Sequence, residues 1–174
     1  MKFKIIIGVF LSALSFSSTA VDGYKDVKFG ADVNTVLAAN LCSLKKNESG
    51  KIKGVESYYC TDFKFSGSDT LAIVFFLNGK FERLAINLNA NIDAVASALG
   101  KRYGKPSSLS TPEEADWALA NGGAIYIRYD NDTVFITAHR DASTRKDLGQ
   151  LIYTSPSYAN LMKLLQEKNL ENDL

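Results

Sequence analysis

The sequence predicts an α+β fold in which two helix-plus-antiparallel-strand units form a two-layer sandwich, followed by a C-terminal helix. Three observations carry this. Apolar residues at helical spacing recur behind a capping residue at two places. Each such helix is followed by turn-rich chain and then by a hairpin. The two hairpins, finally, read alike.

The opening residues belong to a different class of signal. Lys2 and Lys4 make a positive n-region, Ile5 to Leu14 an apolar run broken only by Gly8 and Ser12, and Ser18-Thr19-Ala20 a small-residue cleavage site. Crossing a bilayer takes roughly 20 apolar residues, about twice this run. Residues 1–20 are therefore expected to be a signal peptide cut after Ala20. No cysteine stands at the cut to carry a lipid. The expected mature chain is soluble, without a membrane anchor, and periplasmic or secreted.

Residues 21–90 form the expected first unit. Asp32 can cap a helix with Val33, Val36, Leu37, Leu41 and Leu44 on one stripe. Cys42 and Cys60, the only cysteines, form a disulfide in an oxidising compartment. Metal binding by this pair is disfavoured, because the spacing is not CxxC and His139 is the sole histidine. Residues 91–174 form the second unit. Asn91 is expected to cap a helix carrying Ile92, Val95, Ala96 and Leu99, which stops at Tyr103-Gly104-Lys105-Pro106. Thr111-Pro112-Glu113-Glu114 reads as a capping box opening a single turn, since Trp117 and Leu119 then alternate like a strand. Trp117 is expected in the core. Pro156-Ser157 opens the C-terminal helix, with Tyr158, Leu161, Leu164 and Leu165 on its apolar stripe.

Between the helices, the run from Ala72 to Ile86 turns at Asn78-Gly79, and the run from Ala124 to Ala138 turns at Asn131-Asp132. Both begin Ala-Ile, and Asn-Gly between apolar runs is a strong hairpin signal. A two-residue turn at Asn78-Gly79 would pair Ile73 with Leu84, Leu71 with Ile86 and Phe75 with Glu82. A turn at Asn131-Asp132 would pair Tyr129 with Val134, Ile127 with Ile136 and Ile125 with Ala138. In each hairpin one face is then aliphatic and is expected to pack on the helices. The opposite face would carry Val74, Phe76, Phe81 and Arg83 from the first hairpin, and Tyr126, Arg128, Phe135 and His139 from the second. Phe, Tyr and Arg are enriched at protein interfaces. Phe76, Phe81, Arg83, Tyr126, Arg128 and Phe135 are accordingly the expected partner-binding residues. The rival expectation is that the C-terminal helix, or a second copy of the chain, covers this face.

Other functional classes find little support. With residues 1–20 removed, 18 Lys+Arg face 19 Asp+Glu, a formal charge of −1. Such a chain has no footprint for nucleic acid. His139, Asp141 and Ser143 are the residue types of a hydrolytic triad, but the spacing places no nucleophile. Asp130-Asn131-Asp132 lacks the glycine and distant glutamate of a calcium loop. No catalytic residue, metal or cofactor is expected. The tripeptides beginning at Asn47 and Asn131 are glycosylation sequons of use only in a eukaryotic secretory pathway, whereas the short signal and single cysteine pair suit a bacterial periplasm.

Tyr24-Lys25-Asp26-Val27-Lys28-Phe29-Gly30 before a capped helix, and Leu99-Gly100-Lys101-Arg102-Tyr103-Gly104-Lys105-Pro106 before the Trp117 segment, resemble small periplasmic proteins. The duplicated plan is similar to the beta-lactamase-inhibitor-protein-like fold, shared by the small lipoprotein of the outer-membrane assembly machine. The lipoprotein's acylated cysteine is missing here. The resemblance implies fold and carries over no functional residue. The expected function is binding of another protein, as an inhibitor or immunity protein does. The alternative is a non-catalytic structural or assembly role in the envelope.

Overall fold

Alternating apolar residues make the long strands, and the structure joins them into one sheet. The computed structural model describes residues 20–50, 52–89, 92–140 and 147–174. In chain order the elements are β1 (Gly23–Tyr24), β2 (Val27–Lys28), α1 (Val33–Ala38), β3 (Lys45–Lys46), β4 (Val55–Phe65), β5 (Ser68–Leu77), β6 (Lys80–Leu88) and α2 (Ile92–Tyr103). Then come β7 (Ser108–Leu109), α3 (Pro112–Asn121), β8 (Ala124–Tyr129), β9 (Val134–Arg140), β10 (Asp147–Thr154) and α4 (Tyr158–Asp173). The fold is α+β, as the sequence predicts. Most of the expected signal segment, the expected cap Asn91, and Asp141 and Ser143 lie outside the described residues.

The strands form an eight-stranded sheet in the order β3-β4-β5-β6-β10-β9-β8-β7, and β1 with β2 form a separate pair. The two runs of long strands meet at the centre, where β6 pairs antiparallel with β10. On one side lie α1 and α2, whose Val36, Val95 and Leu99 share a core with Val74, Phe76, Phe81, Leu84, Ile86, Ile136 and Leu151. On the other side α4 packs through Tyr158 and Leu165 against Leu77.

The second hairpin has the expected register, with Tyr129 opposite Val134, Ile127 opposite Ile136 and Ile125 opposite Ala138. The first does not. Phe76 faces Phe81, but Phe75 faces Arg83, so Glu82 is an extra residue in β6. A bulge of this kind reverses which side chains face the core from that point on. Val74 therefore pairs with Leu84 and Ala72 with Ile86. The core face is Ala72, Val74, Phe76, Phe81, Leu84 and Ile86, not the expected set built on Leu71, Ile73 and Phe75. A second bulge between Cys60 and Phe63 lets both residues point inward.

Two helices also differ from expectation. Asp32 caps α1 by accepting from the Thr35 N–H at 2.8 Å, but the helix ends at Ala38. Asn40 takes a left-handed conformation there, and Leu41 and Leu44 reach the core from the following loop. By contrast α3 runs ten residues, because its capping box is complete and Gly122 closes it in the left-handed conformation. Trp117 lies on this helix and is 65% exposed rather than core.

Cys42 and Cys60 are joined by a disulfide across 18 positions. Beside it the Asp62 carboxylate accepts from the Ser43 backbone N–H at 3.1 Å and from its hydroxyl at 2.6 Å. Removing the bridge by Cys42→Ser with Cys60→Ala is expected to cost about 3 kcal/mol, read from urea unfolding with and without reductant.

A second expectation concerns alkaline pH. Tyr24 and Tyr153 stack edge-on at 4.9 Å, and burial pushes both phenols above their ordinary value of 10.0. For Tyr153 the neighbouring Tyr103 adds to the effect. A raised folded pKa means the folded state holds the proton more tightly. The stability it contributes is intact below about pH 10 and is lost as pH rises towards the folded value. Urea midpoints are expected to fall steeply above about pH 10, and Tyr153→Phe to flatten that fall.

Candidate functional site

The bulge at Glu82 sets which predicted residues come together. Phe76 and Phe81 are fully buried on the helix-covered side, in contact with each other at 6.3 Å between ring centroids. Both were expected on the opposite face; they pair with each other as expected, ahead of the bulge, but the face they share with Val74 is the one the helices cover. Arg83, Tyr126, Arg128 and Phe135 do share the other face.

There they form a ladder of alternating rings and guanidiniums. Arg128 lies over the Tyr126 ring at 3.8 Å and reaches the Phe135 ring at 5.6 Å. Phe135 sits directly across from Arg128 on the paired strand. Arg83 comes to the Phe135 ring at 5.9 Å from two strands away, and lies over the Tyr158 ring of α4 at 3.5 Å. Tyr158 also meets Phe75 edge-on at 6.4 Å. The ladder thus runs Tyr126, Arg128, Phe135, Arg83, Tyr158, from β8 across the sheet to α4. Sequence reasoning missed Tyr158 as a member, because it placed that residue only on a helix stripe.

The two arginines differ in their surroundings. Arg83 is half-buried, and burial lowers the guanidinium's pKa from its ordinary value, partly offset by Tyr158. Its Nε donates to the Thr154 hydroxyl at 3.2 Å. Arg128 has 34% of its side chain exposed and a long ion pair, 3.9 Å, to Asp132. The inner arginine is held within the fold and the outer one is accessible.

Beside the ladder the same face carries a polar row. Tyr126 stands opposite Thr137, Thr137 opposite Gln150, and Gln150 opposite Asn87, with the Gln150 amide donating to Asn87 at 2.9 Å. Exposed Leu148 and His139 continue the face beyond it. At one end α4 covers the sheet. At the other, α3 stands against the start of β8, and a cleft of about 410 Å³ lies between them. Ser110, Glu113, Glu114, Trp117 and Tyr126 line it. Gly123 allows this close approach, since a Cβ there would fall 3.1 Å from the Ala118 backbone and from the Trp117 ring. Trp117 is the chain's only tryptophan, and sequence reasoning assigned it to the core.

The accessible part of this face presents planar rings, a guanidinium and amides. His139 is exposed on this face, while the Asp141 and Ser143 weighed beside it lie outside the described residues. Among those residues the one cluster with metal-ligand types is Cys42, Cys60 and Asp62. Both of its sulfurs are committed to the disulfide.

Known proteins resemble this chain over nearly its whole length. A family model described as "Uncharacterised protein" matches residues 24–173. An uncharacterized protein of Haemophilus influenzae is 32% identical over 168 residues, 94% of each chain. An uncharacterized protein of Pasteurella multocida is 23% identical over 187 residues, 99% of this chain and 94% of that one. No solved structure matches. The chain belongs to the family that this model describes, and the matched span contains every strand of the eight-stranded sheet.

Proposed function

We propose that this is an exported protein that binds another protein through the outer half of the ladder face, in the manner of an inhibitor or immunity protein. The observation that carries the reading is the grouping of Trp117, Tyr126 and Arg128 at an accessible edge of the sheet, next to a cleft. Trp, Tyr and Arg dominate binding hot spots because they bury much area per fixed rotamer. Exposure of the largest aromatic side chain costs hydration free energy that a core position would have recovered. The disulfide and the absence of any helix in the described residues long and apolar enough to cross a membrane are compatible with export. On this reading the partner is a protein, and neither a cofactor nor nucleic acid is needed.

One observation favours the second reading, a non-catalytic envelope role with the face self-covered. Tyr158 of α4 lies on Arg83, so the inner part of the face is already occupied. The two readings divide at the outer part.

The test uses purified residues 21–174 and a Tyr126→Ala/Arg128→Ala double variant, captured against periplasmic extract and then titrated with the protein recovered. The variant is expected to keep its urea midpoint within the range of surface substitutions and to lose more than 1 kcal/mol of affinity, about fivefold or more. Equal affinity of variant and parent would move the interface elsewhere. Failure to recover any partner, with the parent a monomer, would favour the self-covered reading.

A further inference from the structure

The first residues after the expected cleavage point are built into the fold. Val21 packs against the main core, and Tyr24 in β1 contacts Tyr153 in β10 and Phe63 in β4. The backbone N–H of Val21 donates to Oδ2 of Asp130, a contact across 109 positions and partly buried. Asp130 opens the β8–β9 turn with a left-handed backbone. Its carboxylate is also held by the Thr133 hydroxyl at 2.6 Å, and Thr133 is itself buried. Asp22, the adjacent carboxylate in sequence, is engaged with Lys28 at 2.9 Å. The other charged groups lining the cleft around Ala20 and Val21 are Lys25 and Arg102, both cations. Asp130 is therefore the anion aimed at the nitrogen that cleavage would free.

We propose that Asp130 is a seat for the chain's own processed N-terminus. Hydrolysis of the Ala20–Val21 peptide bond by an envelope peptidase adds one water. It leaves a carboxylate on Ala20 of the departing segment and a protonated α-amine on Val21. The neutral amide donor seen by Asp130 then becomes an ammonium, and a simple hydrogen bond becomes a charge-assisted one. Processing thereby fastens β1 and β2 to the β8–β9 turn. This rests on the reading of the chain as exported.

The full chain is produced with its own N-terminal segment in a bacterial host, and the exported product is weighed by intact mass spectrometry. A mass for residues 21–174 with the disulfide formed is expected. A product cut elsewhere overturns the seat, and an uncut, unexported product overturns the export reading as well. Four oxidised chains are then compared by thermal unfolding: residues 21–174, the same with two glycines ahead of Val21, and both again with Asp130→Asn. Asparagine keeps an oxygen that can accept from Val21 and Thr133 and tolerates the left-handed turn; it removes the charge and puts an NH2 in place of the second carboxylate oxygen. The glycines are expected to lower Tm by about 2–4 °C in the parent and to have no effect in the Asp130→Asn background. Equal shifts in both backgrounds, or none in the parent, overturn the ion pair. Should Asp130→Asn fail to fold, Nα-acetylation of residues 21–174 removes the charge without touching the turn, and an unchanged Tm would count against the proposal.

Discussion

A single inserted residue, Glu82, determines how the two halves of this molecule relate. Strand side chains alternate between faces, so one unpaired residue exchanges the faces of everything beyond it. Ahead of the bulge Phe81 joins Phe76 in the core; after it Leu84 and Ile86 continue the same core, while Arg83 is delivered to the other side. Without the bulge Arg83 would stand where Leu84 stands, opposite Val74 and beneath the helices. An unpaired guanidinium there would carry a large desolvation cost. With it, Arg83 meets the rings of Phe135 and Tyr158. The bulged residue has its own use. Glu82 is buried, and its carboxylate accepts hydrogen bonds from the hydroxyls of Ser155 and Ser157, while its carbonyl accepts from the Ser155 N–H at 2.8 Å. Those serines are the approach to α4, so the bulge that places Arg83 also anchors the helix that covers it.

The second hairpin was legible because nothing interrupts it. Three turn residues, Asp130, Asn131 and Asp132, tolerate positive φ, and the alternation on either side runs unbroken from Ala124 to Ala138. The first hairpin contained a signal that simple alternation passes over. Phe81 and Leu84 are three apart, and so are Cys60 and Phe63; no unbroken strand can turn both members of such a pair inward. The structure resolves each with a bulge. A register that sets Glu82 opposite Phe75 on an otherwise aliphatic face was the local conflict that marked the place. Four of the six expected contact residues kept their face because three of them, Tyr126, Arg128 and Phe135, come from the intact hairpin. Arg83 kept it because the bulge and the exchange of core face cancel at that position.

Trp117 illustrates a different limit. Size and hydrophobicity argue for burial, yet the inward position of α3 is taken by Ala118. α3 closes through Gly122 and Gly123 onto β8, so close that a Cβ on Gly123 would fall 3.1 Å from Ala118 and from the Trp117 ring. The adjacent tryptophan faces outward, 65% exposed. Local sequence holds the capping box that starts the helix and the glycine that ends it. It does not hold the distance to the strand, which is a tertiary quantity.

An open face and a self-covered face are rival expectations from the sequence, and the ladder divides between them. Its inner members, Arg83 and Tyr158, satisfy each other: the cation is partly desolvated, and the ring returns a fraction of that cost, about 0.5–2 kcal/mol. A methionine or leucine at position 83 would avoid the desolvation altogether, so stability alone does not favour an arginine there. Arg83 does, however, share the Phe135 ring with Arg128. That ring lies 5.9 Å from the Arg83 guanidinium and 5.6 Å from that of Arg128. Through this ring the inner arginine is linked to Arg128, which in turn lies over Tyr126. Under the proposed binding role, a covered inner half joined to an accessible outer half serves recognition, because side chains ordered before binding lose less entropy on contact.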